Sequence, residues 1–129
     1  MTTDLACLVI NALWGLLLVL LEIGGKTRVA GPAWNAGNRE QSPDFPAWID
    51  RTSRALGNHK ENFPLFLTAV LVVHVAGRAD RTSATAAIVY VVARAVHALL
   101  YIGGVKGLRT VAFGTGLVAT LAILSRLVL

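Results

Sequence analysis

Four apolar stretches, residues 5–23, 63–76, 84–102 and 111–129, occupy more than half of a 129-residue chain and constrain its fold more than any other feature. A soluble domain of this size buries only about two-thirds of its surface. It has no room to hide 55% hydrophobic residues at a mean hydropathy of +0.63. Lipid provides that room. At ~1.5 Å per residue, ~20 residues cross the ~30 Å hydrocarbon core of a bilayer. The first, third and fourth stretches reach that length unaided. The second reaches it only if its helix starts ahead of Phe63 and takes in the polar residues there. The expectation is an all-α integral membrane protein, a bundle of four transmembrane helices forming one domain over residues 1–129.

The polar residues ahead of Phe63 are patterned. At ~100° per residue, Arg51, Arg54, Asn58 and Glu61 fall at about 0°, 300°, 340° and 280°, an arc of roughly 80°. A charged stripe feeding into an apolar segment is either a helix end among headgroups or the wall of a polar site beside lipid. Pro46 suits the first turn of this helix, with Asp44 near its cap. Pro64 removes the bond to the Lys60 carbonyl, which predicts a kink. The third stretch carries a second arc: relative to Arg94, Tyr90, His97 and Tyr101 lie at about 320°, 300° and 340°. A guanidinium cannot be neutralised in place, so Arg94 needs a carboxylate or a ligand. Glu22 and Glu61 are the acidic residues within any plausible span.

The remaining polar positions have simpler readings. Asn11 and Glu22 share one face of the first helix. Structurally, Asn11 bonds a neighbouring helix and Glu22 reaches the interface; functionally, Glu22 pairs with Arg54 or Arg94. His74 reads as a packing histidine with its hydrogen bonds satisfied. Asp80 or Thr82 caps the third helix, and Ala112, Gly116 and Thr120 form a small-residue packing face on the fourth. Arg126 reaches the far interface. Residues 24–46, broken by glycines and prolines, predict a long connection without regular structure, anchored at the interface by Trp34 and Trp48.

The net charge of +5 speaks to topology. Eight cations lie in or beside the first and third connections, against three at the other end, which places residues 24–47 and 103–110 in the cytoplasm and both termini outside. Nucleic acid as a partner would need aromatics interleaved with exposed cations, a pattern the chain lacks. Cys7 is alone, so it forms no internal disulfide. His59, His74 and His97 are not grouped with carboxylates at metal-ligand spacing, and neither a phosphate-binding loop nor a serine–histidine triad pattern is present. Pooled, the two arcs and Arg109 form a cation-rich set: Arg51, Arg54, Arg94 and Arg109 with Asn58, Glu61, Tyr90, His97 and Tyr101. Such a set suits a small ligand bearing carboxylates, which Arg binds bidentately. As a closed ion-pair network it would leave four arginines sharing two or three carboxylates.

These residues resemble a family. Arg51-x-x-Arg54-Ala55-x-x-Asn58-x-x-Glu61-x-Phe63-Pro64-Leu65-Phe66, followed by Arg94-x-x-His97-x-x-x-Tyr101 and Arg109, is similar to the MAPEG proteins (membrane-associated proteins in eicosanoid and glutathione metabolism). The likeness is to the branch of microsomal glutathione transferase and prostaglandin E synthase, and to its short bacterial members. It implies a homotrimer in a bacterial inner membrane, with glutathione as cosubstrate at each subunit interface. Glutathione would be held by Arg51, Arg54, Asn58 and Glu61, by Arg94, His97 and Tyr101 of a neighbouring subunit, and by Lys26 or Arg28 from the first loop. Arg109 would activate the thiol, with Thr110 or Tyr101 donating a hydrogen bond to the sulfur. A free thiol has a pKa near 8.5 and reacts as its thiolate; lowering that pKa by ~2 units takes ~2.7 kcal/mol of preferential stabilisation. The implied activity is a glutathione-dependent transferase or peroxidase acting on lipophilic electrophiles drawn from membrane lipid. Two other readings stand beside it: a non-catalytic lipid- or glutathione-binding trimer, and a proton-coupled transporter using Glu22, Glu61 and His97.

Overall fold

The computed structural model describes residues 1–129 as five helices and no strand: α1 (Thr3–Ala30), α2 (Pro32–Ala36), α3 (Ala47–Val75), α4 (Arg81–Ile102) and α5 (Leu108–Ser125). Of these, α1, α4 and α5 are long and apolar enough to cross a membrane. α3 matches α1 in length, but its first half carries the charged stripe.

Several boundaries differ from the sequence expectation. The apolar pattern stops at Ile23, yet α1 continues through Gly24 and Gly25 and ends only at Gly31, whose φ of +87° breaks it. Gly25 is required there: a Cβ would stand 2.9 Å from the Trp48 ring and 3.2 Å from Ile49. The connection expected to lack regular structure thus holds the end of α1 and all of α2, which Pro32 starts and Asn35 ties back by donating to Thr27 Oγ1 at 2.8 Å. Trp34 packs edge-on against Phe45 and donates to the Gln41 carbonyl, so it braces this segment. α3 is capped at Pro46 without any side chain, so Asp44 plays no capping part. Pro64 lies inside α3, and the helix continues on both sides of it. Asp80 caps α4 through a reciprocal pair of bonds with Ser83.

The long helices run alternately up and down. α3 and α4 touch each other and both outer helices, whereas α1 and α5 do not meet. The α3–α4 seam is therefore the middle of the molecule. At the end that carries both termini, Cys7, Leu8, Phe66, Val70, Ala87, Tyr90 and Ile123 belong to the main apolar core. At the loop end Leu18, Ala55, Leu56 and Ala98 form a second, smaller one. Arg126 does not simply reach the interface; its Nε donates to Asp80 Oδ2 at 2.9 Å and ties the end of α5 to the start of α4.

Candidate functional site

Between the two apolar cores lies a buried polar layer. It draws Asn11 from α1, His59 and Asn62 from α3, and Arg94 and His97 from α4, with Tyr90 at its edge. Glycines make the space. A Cβ on Gly15 would come within 2.6 Å of His59 Nε2, and one on Gly116 within 3.3 Å of Arg94 Cδ. The His59 ring stacks on Phe63, and Tyr90 stacks face to face on Phe66 with ring centres 3.8 Å apart. Polar groups taken out of water cost free energy unless bonded, and this layer is under-bonded. Both amide atoms of Asn11, Tyr90 OH, Arg94 Nε and His97 Nδ1 are buried without a partner in the chain.

Arg94 is the centre of the layer. It is 2% exposed, pairs with no carboxylate, and donates from Nη2 to Asn58 Oδ1 at 2.6 Å. That bond joins the two polar arcs across the α3–α4 seam. Glu22 is not its partner, nor that of Arg54. Glu22 Oε1 instead accepts from Lys26 Nζ and Ser53 Oγ, each at 2.6 Å. Lys26 is thereby engaged, with its ammonium also 6.0 Å from the Phe45 ring centre. Asn11 makes no bond to a neighbouring helix, and His74 leaves Nδ1 without a partner, so neither fits its structural reading.

A second grouping sits at the loop end of α4. The Arg109 guanidinium lies 4.4 Å from the centre of the Tyr101 ring, a cation–π distance. Tyr101 meets His97 edge-on, and His97 also faces Phe113. One residue further along, the Ile102 carbonyl accepts from Arg51 Nε at 2.8 Å, with Gly104 at φ +77° against the same guanidinium. Arg51 and Arg109 thus converge on the last turn of α4, where free helix carbonyls favour cations.

The other sequence-derived candidates divide. Arg54 and Glu61 point outward from α3 without partners, and Arg28 and Thr110 are exposed. The division of the α3 stripe follows helical periodicity. Arg51 and Asn58, seven residues and so almost two full turns apart, occupy one edge of the arc and turn toward α4. Arg54 and Glu61, again seven apart, occupy the other edge and fall past the limit of the contact. Sequence reasoning passed over Ser53, His59, Asn62 and Phe113 as parts of the site. Gly15, a lone glycine in an apolar run, was the available signal for His59, since such a glycine marks a close approach.

No curated protein and no solved structure matches the chain. The MAPEG family profile matches residues 5–129, and its membership includes glutathione transferases and related proteins. With its membrane-length helices and this match along nearly all of its length, the chain belongs to the MAPEG family.

Proposed function

We propose that the chain is a membrane-embedded, glutathione-dependent transferase or peroxidase acting on lipophilic electrophiles. In this reading it works as a single-domain, four-span subunit of a homotrimer, with α3 as the fourth span and residues 24–47 and 103–110 in the cytoplasm of a bacterium. The observation that carries the proposal is Arg94. A buried guanidinium with no carboxylate calls for an anion, and glutathione brings two carboxylates. Asn58, His97 and Tyr90 surround the same place with hydrogen-bonding groups. Arg51, Arg54 and Glu61 of α3 and Lys26 and Arg28 near the first loop would complete the ligand's polar contacts across a subunit boundary.

Arg109 is suited to the thiol. Half-buried and resting on Tyr101, it would stabilise a thiolate at the rim of the bilayer, with Tyr101 or Thr110 donating to the sulfur. The thiolate attacks the electrophile, a new carbon–sulfur bond forms, and the leaving group departs into water. The engagement of Arg51 with the Ile102 carbonyl and of Arg109 with the Tyr101 ring favours one alternative, a glutathione- or lipid-binding trimer without turnover. Conjugation of glutathione to chlorodinitrobenzene, measured beside glutathione binding by thermal shift, separates the two. Turnover that Arg109→Ala abolishes while binding persists supports the enzyme. Binding without turnover supports the alternative, and binding by the parent no stronger than that of a carboxyl-blocked analogue overturns both glutathione readings.

A further inference from the structure

The seam between α1 and α4 gathers polar atoms that have nothing to bond. Asn11 Nδ2 and Oδ1, Trp14 Nε1, Tyr90 OH, Arg94 Nε and His97 Nδ1 are all buried and unpartnered within the chain. The register of the helices brings them to one level. A Cβ on Gly15 would meet His59 of α3, and the next residue back, Asn58, accepts from Arg94. Leu18 and Ala98 share the loop-end core, and Trp14 packs against it. Since α1 and α4 run parallel and in contact, Asn11 stands near the height of Tyr90, and Trp14 near that of Arg94 and His97. Asn11 is fully buried, so this set is the inner end of the polar layer, closed within one chain.

We propose that this inner end binds a small monovalent inorganic anion, a halide such as chloride, beside Arg94. The inference shares Arg94 with the glutathione reading but does not rest on it, because its distinctive donors come from α1. The balance of hydrogen bonding carries it. Asn11 Nδ2, Trp14 Nε1 and Arg94 Nε can only donate; Tyr90 OH and His97 Nδ1 can do either; Asn11 Oδ1 alone can only accept. A donor-rich set around a fixed positive charge calls for an anion. Water would answer the donors and leave the charge of Arg94 standing, and an isolated buried charge is costly. No acid of the chain supplies the countercharge. Glu22 is held by Lys26 and Ser53, Glu61 points outward, and residues 81–129 contain neither Asp nor Glu. Size narrows the class further. These five side chains line none of the larger hollows of the molecule, so the space between them suits an ion of one atom. Arg51 and Arg109, converged on the last turn of α4, give the loop end a positive field that draws anions toward it.

Iodide, which quenches indole fluorescence on contact, reads the site through Trp14. The full-length chain with Trp34→Phe and Trp48→Phe keeps Trp14 as its single tryptophan. In detergent without glutathione, it is titrated with sodium iodide against sodium gluconate at constant ionic strength. Quenching should saturate, and chloride but not sulfate should reverse it. In the unaltered chain the thermal midpoint should be higher in chloride than in gluconate and should climb with chloride concentration. Asn11→Leu should weaken iodide at least tenfold, the loss of one hydrogen bond to a charged partner. Its midpoint in gluconate should be no lower than the parent's, because the amide it removes has no partner. Asn11→Asp places a carboxylate at the same position and should abolish the halide response. Quenching that rises without saturating would overturn the proposal, as would equal reversal by sulfate or parental iodide affinity in Asn11→Leu. A midpoint indifferent to chloride and lowered by Asn11→Leu would also overturn it, by showing that the site holds water only. Glutathione binding, measured in gluconate, is a separate readout, so either reading can fail while the other stands.

Discussion

Replacing Arg94 by Met asks whether the buried polar layer serves the fold or a ligand. In the ligand-free chain the guanidinium is 2% exposed and keeps one hydrogen bond, to Asn58 Oδ1 at 2.6 Å. A bond of that kind to a charged group contributes ~1.5–3 kcal/mol, while an unsatisfied buried donor such as Arg94 Nε costs ~1–3 kcal/mol. These two terms nearly cancel. What remains is the burial of a charge with no opposite charge beside it, still several kcal/mol after relaxation. Met has a long flexible side chain that can fill the space against Gly116 and adds no charge. Asn58, only half-buried, can turn its freed oxygen toward water. The variant should therefore be more stable than the parent by ~1–3 kcal/mol without ligand. Glutathione at a hundred times its Kd should raise the parent by ~2.7 kcal/mol and leave the variant unmoved. Unfolding by SDS in mixed micelles, followed by helical circular dichroism with and without glutathione, reads both numbers. If Arg94→Met is less stable than the ligand-free parent by more than ~1 kcal/mol, Arg94 is a structural residue and the anion argument fails.

Three smaller perturbations test the packing, the α3 backbone and the α4 cap. Gly15→Ala puts a methyl 2.6 Å from His59 Nε2, on a ring held by Phe63. Overpacking of ~1–3 kcal/mol, less up to ~1 kcal/mol of helix propensity, predicts a net loss of ~1–2 kcal/mol. In a His59→Ala background the same change should become stabilising, and an equal cost in both backgrounds refutes the contact. Gly57→Ala, which meets open space, should stabilise by ~0.5–1 kcal/mol in the same unfolding assay. Asp80 is exposed outside the spans; its carboxylate accepts the Ser83 backbone N–H and faces Arg126, which together hold its pKa below the ordinary value. A carboxylate depressed on folding contributes stability that is complete above the unfolded pKa and is lost as pH falls through the folded one. Below about pH 4 the parent's Tm should therefore fall faster than that of Asp80→Asn, and parallel curves would show that Asp80 contributes nothing to acid stability.

The sequence carried the helices better than their ends. Hydrophobic runs of membrane length located α1, α4 and α5 within a few residues, because lipid punishes any other structure for an apolar segment. The same logic misjudged the exit of α1. A helix that has left the bilayer needs no apolar pattern, so residues 24–30 looked like loop although their backbone is helical. Angular arithmetic put Arg94, His97 and Tyr90 on one face correctly as a matter of periodicity, but did not say which way the face looks. Packing decides that: the α4 arc turns into the middle of the bundle because Gly116 of α5 leaves room for Arg94. Pairings were the least legible part. Glu22 found Lys26 four residues along its own helix and Ser53 on the neighbouring α3. A neighbour at i+4 is always within reach, whereas Arg94 lies deeper in the bundle.

The division of the α3 stripe bears on assembly. Arg51 and Asn58 are engaged inside the chain, on the Ile102 carbonyl and on Arg94. Arg54, Lys60 and Glu61 remain exposed on a helix whose second half is lined with Leu65, Leu71 and Val72, all exposed as well. A charge facing hydrocarbon near the centre of a span costs ~2.5–3.5 kcal/mol even on lenient scales. A lone chain inserted with α3 against lipid would bear that cost at more than one position. Lifting the first half of α3 into water is resisted by Gly15 against His59 and by Leu56 within the loop-end core, which fix its height beside the apolar run of α1. The simplest resolution is protein on that face, and copies of the same chain around a common axis would bring Arg54 and Glu61 of each subunit to a shared boundary. In the homotrimer proposed above, the unpaired buried cation and the unpaired outward charges have one explanation: both belong to a polar pocket that one chain only half encloses.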